Sequence, residues 1–391
     1  MKLNVAVIFG GRSVEHEVSI ISAVQCINAL DKDKYNAVPI YITKQGIWYT
    51  GDKLNKVENY CDVDKLLPQC DKIVISQNSD VGEIYRAKPA MFGSKLLTKI
   101  DVAFPVAHGT HGEDGVLQGF LELMNIPYVG CDVLSSAITM DKIVAQTLLR
   151  ALNIPVLDSV WFYANEWLED KEKILAQILR YPYPLIVKPA NLGSSIGVSS
   201  VNNQTELEDA IELAISMSQR ILIEPKVENL REINCAVLGD HELAEVSVCE
   251  EPIKGEAILS YQDKYCGNDK HAPRAGMSGA KRKVPADITE NKAQAIQELA
   301  KKAFWGLNCS GVARIDFLLD QNTDQIYLCE VNTIPGSLSF YLWEPLGKSF
   351  TELTSRLIEL ALKKQRDKNN LVLSYNTNIL RNFSGAKGIK Q

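Results

Sequence analysis

Residues 314–336, RIDFLLDQNTDQIYLCEVNTIPG, constrain the fold more than any other stretch of the chain. Two apolar runs, 315–319 and 326–329, flank the polar sequence Gln-Asn-Thr-Asp. Short apolar runs on either side of a turn-forming segment are typical of a β-hairpin. The segment therefore predicts two antiparallel strands joined by a polar turn.

The hairpin places four polar side chains together. If its strands pair symmetrically about Thr323, Asp316 lies opposite Glu330 and Arg314 lies opposite Asn332. Because side chains alternate along a strand, these four groups share one face of the hairpin.

Two opposed carboxylates on that face suggest a bound cation. Directly opposed side chains lie about 5 Å apart, and facing carboxylates repel each other unless something neutralises them. Asp, Glu and Asn supply oxygen ligands, which Mg²⁺ prefers, and phosphate oxygens and water complete its shell. A solvated hairpin with polar outer positions would be the better explanation if the pattern stood alone, so the metal prediction depends on other motifs.

Composition narrows the class of protein. A length of 391 residues predicts two or three domains, and 46% hydrophobic with 23% charged residues is typical of a globular protein. The formal net charge of −6 gives no overall attraction to nucleic acid or to an anionic membrane, so neither is expected as a partner. We find no signal peptide and no membrane-spanning segment. Nine cysteines without C-x-x-C pairs predict reduced thiols in a cytoplasm.

Periodicity predicts an N-terminal half with an open parallel α/β sheet, whose sites lie at the carboxyl ends of its strands. The predicted elements are a strand at 3–9, a helix at 18–30, strands at 38–42 and 102–105 and a helix at 116–124. Residues 51–95 are polar and irregular, and no element is predicted there. The turn-rich sequence HGTHGEDG follows the strand at 102–105.

The second half mixes helices with strands that include antiparallel pairs. The predicted helices are 141–152, 205–217, 293–305 and 350–364, and the predicted strands outside the hairpin are 185–188, 221–224, 232–238 and 242–248. Residues 260–283 form a loop long enough to be functional or disordered, and 366–391 form a tail of unknown role.

Two further features favour an anionic ligand. Lys188 ends an apolar strand, and a buried lysine needs an anionic partner. Lys142 begins a helix, where acidic residues are normally preferred. The sequence Gly193-Ser-Ser-Ile-Gly197 could present N–H groups and hydroxyls to phosphate, although it lacks P-loop spacing and a simple turn would explain it in isolation.

Taken together, the motifs resemble those of the D-alanine–D-alanine ligases of the ATP-grasp superfamily. They are GGRSVEHEVS, HGTHGEDGVLQG, KPANLGSSIGVS, SYQDKY, GVARIDF and EVNTIPG, and they occur in family order from residue 10 to about residue 345. The resemblance implies an ATP-grasp fold, α/β and α+β, behind an N-terminal open parallel α/β (pre-ATP-grasp) domain. The implied parts are an N-terminal domain at 1–130, a central subdomain at 131–225, a C-terminal subdomain at 226–365 and the tail at 366–391.

The resemblance also implies a binding site for ATP and Mg²⁺, or Mn²⁺ in its place. The implied metal ligands are Asp316, Glu330 and Asn332, in agreement with the hairpin argument. The residues implied to bind ATP are Lys142, Lys188, Ser195, Glu224, Lys226, Val227, Glu232 and Lys264. Lysines would surround the phosphates, the backbone of 224–227 would contact adenine, and Glu232 would bind the ribose.

For the substrates, the resemblance implies D-alanine and a second D-amino acid. Glu15 would bind the first ammonium in a hydrogen-bonded set with Ser194 and Tyr265, and His108 would lie nearby. Arg314 and the N–H of Gly336 would stabilise the tetrahedral oxyanion. The residues expected near the second substrate are Ser337, Tyr341 and Leu342. In isolation Glu15 could be an ordinary helix-start acid, and Arg314 could be a structural partner of Asp316.

The implied reaction joins two amino acids through an acyl phosphate, with 260–283 as a lid that excludes water. Tyr341 stands where the family usually has a small serine, so the acceptor is open between D-alanine and another D-amino acid such as D-serine. The Lys264–Tyr265 pair favours an amine acceptor over a hydroxy acid. A paralogue that binds nucleotide without turnover is the remaining alternative, against which the intact polar set argues. The family resemblance suggests a homodimer.

Overall fold

The computed structural model describes residues 2–76, 82–88, 95–253 and 282–374. Within these ranges the chain forms three β-sheets with helices packed against them. Lys264, Tyr265 and most of the predicted lid lie outside the described residues, as does the tail beyond residue 374. None of the helices in these ranges is long and apolar enough to cross a membrane.

The N-terminal sheet has seven strands in the order β6-β5-β4-β3-β2-β1-β7. They are β1 (Leu3–Gly10), β2 (Tyr35–Ile42), β3 (Trp48–Thr50), β4 (Asp71–Ile75), β5 (Glu83–Arg86), β6 (Leu96–Lys99) and β7 (Val102–Pro105). The accompanying helices are α1 (His16–Ala29), α2 (Val63–Leu66) and α3 (Val116–Leu123), with short 3₁₀ segments at Asp52–Asn55, Val57–Asp62 and Leu67–Gln69. The central strand β1 pairs in parallel with β2 and β7, which confirms the predicted βαβ unit.

The antiparallel half of this sheet was not predicted. Strands β3 to β6 extend the sheet from β2 by antiparallel pairing. The reading of 51–95 as irregular is therefore wrong for β4 and β5, which lie inside that stretch, while β3 and β6 flank it. All four strands are short, and each buries few side chains. Ile73 and Ile84 are almost fully buried on this part of the sheet, whereas most of their neighbours are half-buried or exposed. Such brief alternation is too weak to recognise from sequence.

The central sheet is fully antiparallel, with strand order β10-β9-β11-β8. Its strands are β8 (Val160–Tyr163), β9 (Leu185–Pro189), β10 (Ser199–Val201) and β11 (Arg220–Pro225). The helices between the first sheet and the end of this one are α4 (Val133–Met140), α5 (Lys142–Ala151), α6 (Ala164–Glu169), α7 (Lys171–Ile178) and α8 (Gln204–Ile215). Leu185 and Val187 of β9 pack with Ile221 of β11 in a core that α7 and α8 cover.

The third sheet is also antiparallel, with order β14-β13-β12-β15-β16. Its strands are β12 (Leu230–Gly239), β13 (Ala244–Pro252), β14 (Arg282–Lys283), β15 (Gly311–Asp320) and β16 (Ile326–Asn332). The helices are α9 (Glu290–Gly306) and α10 (Phe350–Asn369), with 3₁₀ segments at Gly336–Leu342 and Glu344–Leu346. The predicted hairpin is the β15–β16 pair.

The final helix closes the fold across the N-terminal sheet. Leu357 of α10 belongs to the same buried cluster as Val5 and Phe9 of β1, together with Val312 and Trp343. The helix begins at a capping box in which the Ser349 and Glu352 side chains each bind the other residue's backbone N–H, and it continues five residues beyond the predicted end at 364. The domain bounds at 130, 225 and 365 stay predictions.

Candidate active site

The β15–β16 hairpin has the predicted register at its polar end. Arg314 pairs with Asn332 and Asp316 pairs with Glu330. These residues lie next to the end of β16, where the chain turns into the segment Gly336–Leu342. The predicted polar cluster on one face of the hairpin is therefore present.

The register shifts by one residue in the inner half of the hairpin. Phe317 pairs with Leu328 rather than with Cys329, so symmetric pairing about Thr323 is wrong from this point inward. Cys329 becomes the extra residue of a β-bulge, directly next to Glu330. Bulges redirect side chains and are common beside active sites, but a one-residue insertion leaves no clear signal in a hydrophobic pattern.

Arg314 and Asp316 form a buried, bidentate ion pair. The Nε and Nη2 atoms of Arg314 donate to the two carboxylate oxygens of Asp316 at 2.7 and 2.6 Å. Asn332 Nδ2 donates to the same carboxylate at 3.1 Å. The structural partnership left open by the sequence is thus present, and the oxyanion role of Arg314 stays a prediction.

The polar face has the donors that a divalent cation needs. Burial raises the pKa of Asp316, Arg314 opposes the rise, and the carboxylates of Glu330 and Glu232 add to it. Among the residues that the structure describes, no three His, Cys, Asp or Glu side chains form a metal cluster. The set here consists instead of two carboxylates and the Asn332 amide. The oxygen atoms of this set are ligands of the kind that Mg²⁺ prefers, and Arg314 compensates the charge of one of the two carboxylates.

Lys188 and Glu224 form a second buried ion pair, on neighbouring strands β9 and β11. Their side chains are only 12% and 3% exposed, and Gln146 donates a hydrogen bond to the other Glu224 oxygen. Burial works against the charge of Lys188, but the attraction and hydrogen bond of Glu224, together with smaller contributions such as that of Glu330, outweigh burial and the pKa of Lys188 is raised. The prediction that Lys188 needs an anionic partner is confirmed, and in the structure that partner is Glu224.

Lys142 lies at the start of α5, where Asp141 caps the helix by accepting from the N–H groups of Ile143 and Val144. This cap offsets the unfavourable position of a lysine at a helix N-terminus. Lys142 Nζ donates to the carbonyl of Leu192 at 2.5 Å, and burial lowers the Lys142 pKa. The residues that share one cavity with Lys142 include Glu113, Gly193, Glu330 and Asn332. A lysine, the glycine-serine loop and the hairpin therefore converge.

Glu15 joins the N-terminal sheet to the glycine-serine loop. The Ser194 hydroxyl donates a hydrogen bond to the Glu15 carboxylate, which is only 6% exposed. Gly109 and Gly193 leave room for this carboxylate: a Cβ on Gly109 would lie 2.6 Å from Glu15 Oε2 and one on Gly193 would lie 3.1 Å from it. Gly109 also has a φ of +70°, which favours glycine. Tyr265, the third predicted member, lies outside the described residues.

His108 is buried beside helix α1, which directly follows Glu15. Its backbone N–H donates to Ser19 Oγ at 2.8 Å, and its Nε2 lies 2.9 Å from Ser22 Oγ. Burial lowers the pKa of His108 to about 4. The ring is therefore neutral at physiological pH and contributes no full positive charge to a carboxylate nearby.

The segment after the hairpin is buried between helix α1 and strand β13. The N–H of Ser337 donates to Ser22 Oγ at 3.1 Å, and the Tyr341 hydroxyl donates to Glu250 Oε1 at 3.0 Å. Leu342 is fully buried in the hydrophobic core, so its side chain cannot line an open substrate pocket. Gly336 is buried at the start of this segment.

The other residues predicted to bind ATP lie in the glycine-serine loop, directly after β11 and on β12. Ser195 has a φ of +59° in the glycine-serine loop, and the N–H of Lys226 donates to the carbonyl of Pro184 at 3.0 Å. Val227 and Glu232 are half-buried, and Glu232 pairs with Leu318 of β15. Lys264 lies outside the described residues.

Sequence reasoning assigned no role to three residues that hold the site together. Glu113, in GEDG, accepts the N–H of Gly109 at 2.7 Å and that of Ile334 at 3.2 Å, linking two predicted substrate loops. Ser22 follows Glu15 by seven residues, about two helical turns, so the sequence alone could have placed both on one helix face. No sequence signal could have identified Glu250, because the alternation of an ordinary strand explains a polar residue at its position.

Comparison with known proteins decides the family. The family model described as D-ala D-ala ligase N-terminus matches residues 4–131, and the one described as D-ala D-ala ligase C-terminus matches residues 148–359. The chain belongs to the D-alanine–D-alanine ligase family. The D-alanine–D-alanine ligase of Thermosipho melanesiensis is 42% identical over 380 residues, which cover 97% of this chain and 98% of that protein.

Two solved structures of such ligases are similar over nearly the whole chain. The D-alanine–D-alanine ligase of Coxiella burnetii aligns with a TM-score of 0.78 at 31% identity, over 95% of this chain and 97% of its own. The VanG D-Ala:D-Ser ligase of Enterococcus faecalis aligns with a TM-score of 0.78 at 34% identity, over 92% of this chain and 100% of its own. The predicted ATP-grasp fold class is confirmed.

Proposed function

We propose that this member of the D-alanine–D-alanine ligase family is an ATP-dependent, ADP-forming ligase that makes D-alanyl-D-alanine for peptidoglycan precursors. The main support is the convergence of the β15–β16 polar face with Lys142 and the glycine-serine loop around one cavity. The reaction needs a cation-binding face for the nucleotide and an anionic site for a substrate ammonium. The Glu15 carboxylate, hydrogen-bonded by Ser194, would supply the anionic site next to the cation-binding face of the hairpin.

In the first step, the γ-phosphoryl group of ATP is transferred to the carboxylate of D-alanine, which gives D-alanyl phosphate and ADP. Mg²⁺ held by Asp316, Glu330 and Asn332 would offset charge on the nucleotide phosphates. Lys142 and Lys188 would contribute further positive charge, while Glu15 would orient the donor through its ammonium. Positioning supplies most of the catalysis in such a transfer.

In the second step, the amine of the acceptor forms the amide bond and inorganic phosphate leaves. Negative charge develops on the carbonyl oxygen as the amine attacks. Arg314 and the N–H of Gly336 would stabilise that oxygen, because fixed donors in a buried site need little rearrangement. The burial of Arg314, at 7% exposure, is consistent with this role.

The second candidate acceptor is D-serine. It is favoured by the similarity to the VanG ligase and by Tyr341, whose ring and hydroxyl are held by Arg282 and Glu250 where the acceptor is expected. D-Alanine is preferred here because the D-alanine–D-alanine ligase of Thermosipho melanesiensis, at 42% identity, is more similar in sequence than the VanG ligase at 34%. The protein is further proposed to act in the cytoplasm as a homodimer.

The test is product formation by the purified protein with ATP, Mg²⁺ and D-alanine, alone and with a panel of second D-amino acids. We expect phosphate release together with D-alanyl-D-alanine, identified by mass spectrometry. A faster rate with D-serine as acceptor would favour the second candidate. No ADP formation with any acceptor would leave a nucleotide-binding paralogue.

A further inference from the structure

The turn after Gly336 has an unusual backbone. Ser337, Leu338 and Ser339 have φ values of 52°, 53° and 51°, so three consecutive residues other than glycine are left-handed. Each such residue costs about 1–2 kcal/mol, and the conformation persists only where its surroundings enforce it. The turn directly follows the N–H that is proposed to stabilise the oxyanion.

Helix α1 holds the first residue of this turn from two positions. Ser22 Oγ accepts the N–H of Ser337 at 3.1 Å, and Gln25 Oε1 accepts the Ser337 hydroxyl at 2.6 Å. Ser22 and Gln25 are three residues apart and therefore share a helix face. The backbone and the side chain of Ser337 are thus both fixed to one rigid element.

A second contact reaches Ser22 from the loop after β7. His108 Nε2 lies 2.9 Å from Ser22 Oγ, and the His108 N–H donates to Ser19 Oγ on the same helix. A serine hydroxyl has one donor hydrogen and two acceptor lone pairs. Ser22 therefore hydrogen-bonds Ser337 and His108 at the same time.

Hydrogen bonds hold the chain on both sides of the Pro335–Gly336 peptide. Ser337, which follows it, is bound by Ser22, and the N–H of Ile334, which precedes it, donates to Glu113 at 3.2 Å. Glu15, the proposed site of the donor ammonium, is the N-cap residue of the helix that carries Ser22. One element would then set the position of the donor's ammonium relative to the oxygen on which charge develops.

We propose that Ser22 is a positioning residue for ligation, which fixes the Gly336 N–H by ordering the turn that directly follows it. This inference rests on the proposed function, and it concerns a residue that touches no substrate. A hydroxyl that hydrogen-bonds both Ser337 and His108 has no replacement among apolar side chains. Loss of these hydrogen bonds would leave ATP and D-alanine binding in place and weaken a contact made in the transition state.

The test compares Ser22→Ala with Ser136→Ala. Ser136 is a fully buried helical serine whose hydroxyl has no hydrogen-bond partner among the described residues, so this control loses a hydroxyl of the same size. For Ser22→Ala we expect kcat to fall about ten- to a hundred-fold with less than about a three-fold change in KM for ATP and D-alanine. Ser22→Thr, which keeps the hydroxyl, should restore most of the rate.

A second measurement is independent of activity. Hydrogen exchange of a peptide covering residues 333–342, measured by mass spectrometry without substrates, should be faster in Ser22→Ala than in Ser136→Ala. Faster exchange together with the selective loss of kcat supports the proposal. The proposal is overturned if the exchange rate or kcat of Ser22→Ala is unchanged. It is also overturned if stability, kcat and KM all worsen together, as expected for general damage to the fold.

A second variant on helix α1 keeps the proposal testable if Ser22→Ala does not fold. Gln25→Leu removes the acceptor for the Ser337 hydroxyl, and Gln25 is only half-buried. It should give a smaller fall in kcat and a smaller increase in exchange, and the absence of both would count against the proposal. If the unaltered protein forms no ADP, the proposed function fails, whereas the exchange result still reports whether Ser22 orders the turn.

Discussion

The Lys188 ammonium and the Glu224 carboxylate form an ion pair buried between strands β9 and β11. Breaking a buried pair by removing one partner leaves an uncompensated charge and costs about 3–5 kcal/mol, whereas exposed pairs contribute about 0–1 kcal/mol. We therefore expect Glu224→Gln to lower the free energy of unfolding by about 3–5 kcal/mol.

The matched control is Glu208→Gln, which removes the partner of Lys171 in a pair whose side chains are 45% and 28% exposed. It should cost much less stability than Glu224→Gln, because solvent screens an exposed pair. Urea denaturation measures both values, and the KM for ATP should rise only in Glu224→Gln. Equal losses of stability in the two variants would contradict the buried-pair interpretation.

The hydrogen bond from Ser194 to Glu15 predicts an effect on the first substrate. Ser194→Ala removes a donor to a carboxylate, a bond of about 1.5–3 kcal/mol, so kcat/KM for D-alanine as donor should fall about ten- to a hundred-fold. Steady-state kinetics with varied D-alanine provide the measurement. Ser199→Ala, on β10 outside the loop, should behave like the unaltered protein, and the same loss in both variants would argue against a specific role.

The buried His108 predicts a pH dependence of stability. The unfolded imidazole takes up a proton near pH 6.5, but the folded one does so only near pH 4. Between these values the unfolded state binds more protons, so stability falls as the pH is lowered, by about 3 kcal/mol over the whole window. His108→Gln removes this contribution.

The measurement is the free energy of unfolding at pH 7 and pH 4.5, from urea titrations of both proteins. The difference between the two pH values should be smaller in His108→Gln than in the unaltered chain. Parallel pH profiles would show that the His108 ring titrates normally in the folded state.

Tyr341 predicts acceptor selectivity. Its hydroxyl donates to Glu250 while its ring lies under the Arg282 guanidinium, 4.0 Å from the ring centroid. Tyr341→Phe keeps the ring but releases that carboxylate, so the wall of the acceptor pocket should change. In a competition between equal concentrations of D-alanine and D-serine as acceptors, we expect the dipeptide product ratio to shift about two- to ten-fold.

Tyr163→Phe is the control for this comparison, because Tyr163 lies on the edge strand β8 and is 43% exposed. Its product ratio should equal that of the unaltered protein. If Tyr341→Phe also leaves the ratio unchanged, Tyr341 does not shape the acceptor pocket.

Parts of this fold could be predicted because they bury continuous apolar runs. Strand β1 and the polar end of the β15–β16 hairpin follow directly from such patterns, and their register brings Asp316 opposite Glu330. The bulge at Cys329 and the short strands from β3 to β6 could not, since one inserted residue or a few half-buried positions hardly change the pattern. Tertiary contacts, rather than the local sequence, determine the bulge and these short strands.

The residues of the candidate site likewise divide into those that could be predicted from the sequence and those that could not. Lys188 stands out because a charged residue that ends an apolar strand needs a partner, and Glu15 was found through the family motif GGRSVEHEVS; each has a partner in the structure. The roles of Ser22 and Glu250 depend on contacts across more than eighty residues of sequence. Local patterns carry no information about such contacts.

The central claim is that the polar face of the β15–β16 hairpin binds a divalent cation so that ATP can activate the carboxylate of D-alanine. Glu330→Gln tests it, with the exposed Glu344→Gln as control. The measurement is ADP formation with ATP and D-alanine as Mg²⁺ is removed by chelation and then titrated back. We predict that activity disappears with the metal, returns in the unaltered protein and in Glu344→Gln, and needs at least about ten-fold more Mg²⁺ in Glu330→Gln. The same Mg²⁺ dependence in all three proteins would contradict the account.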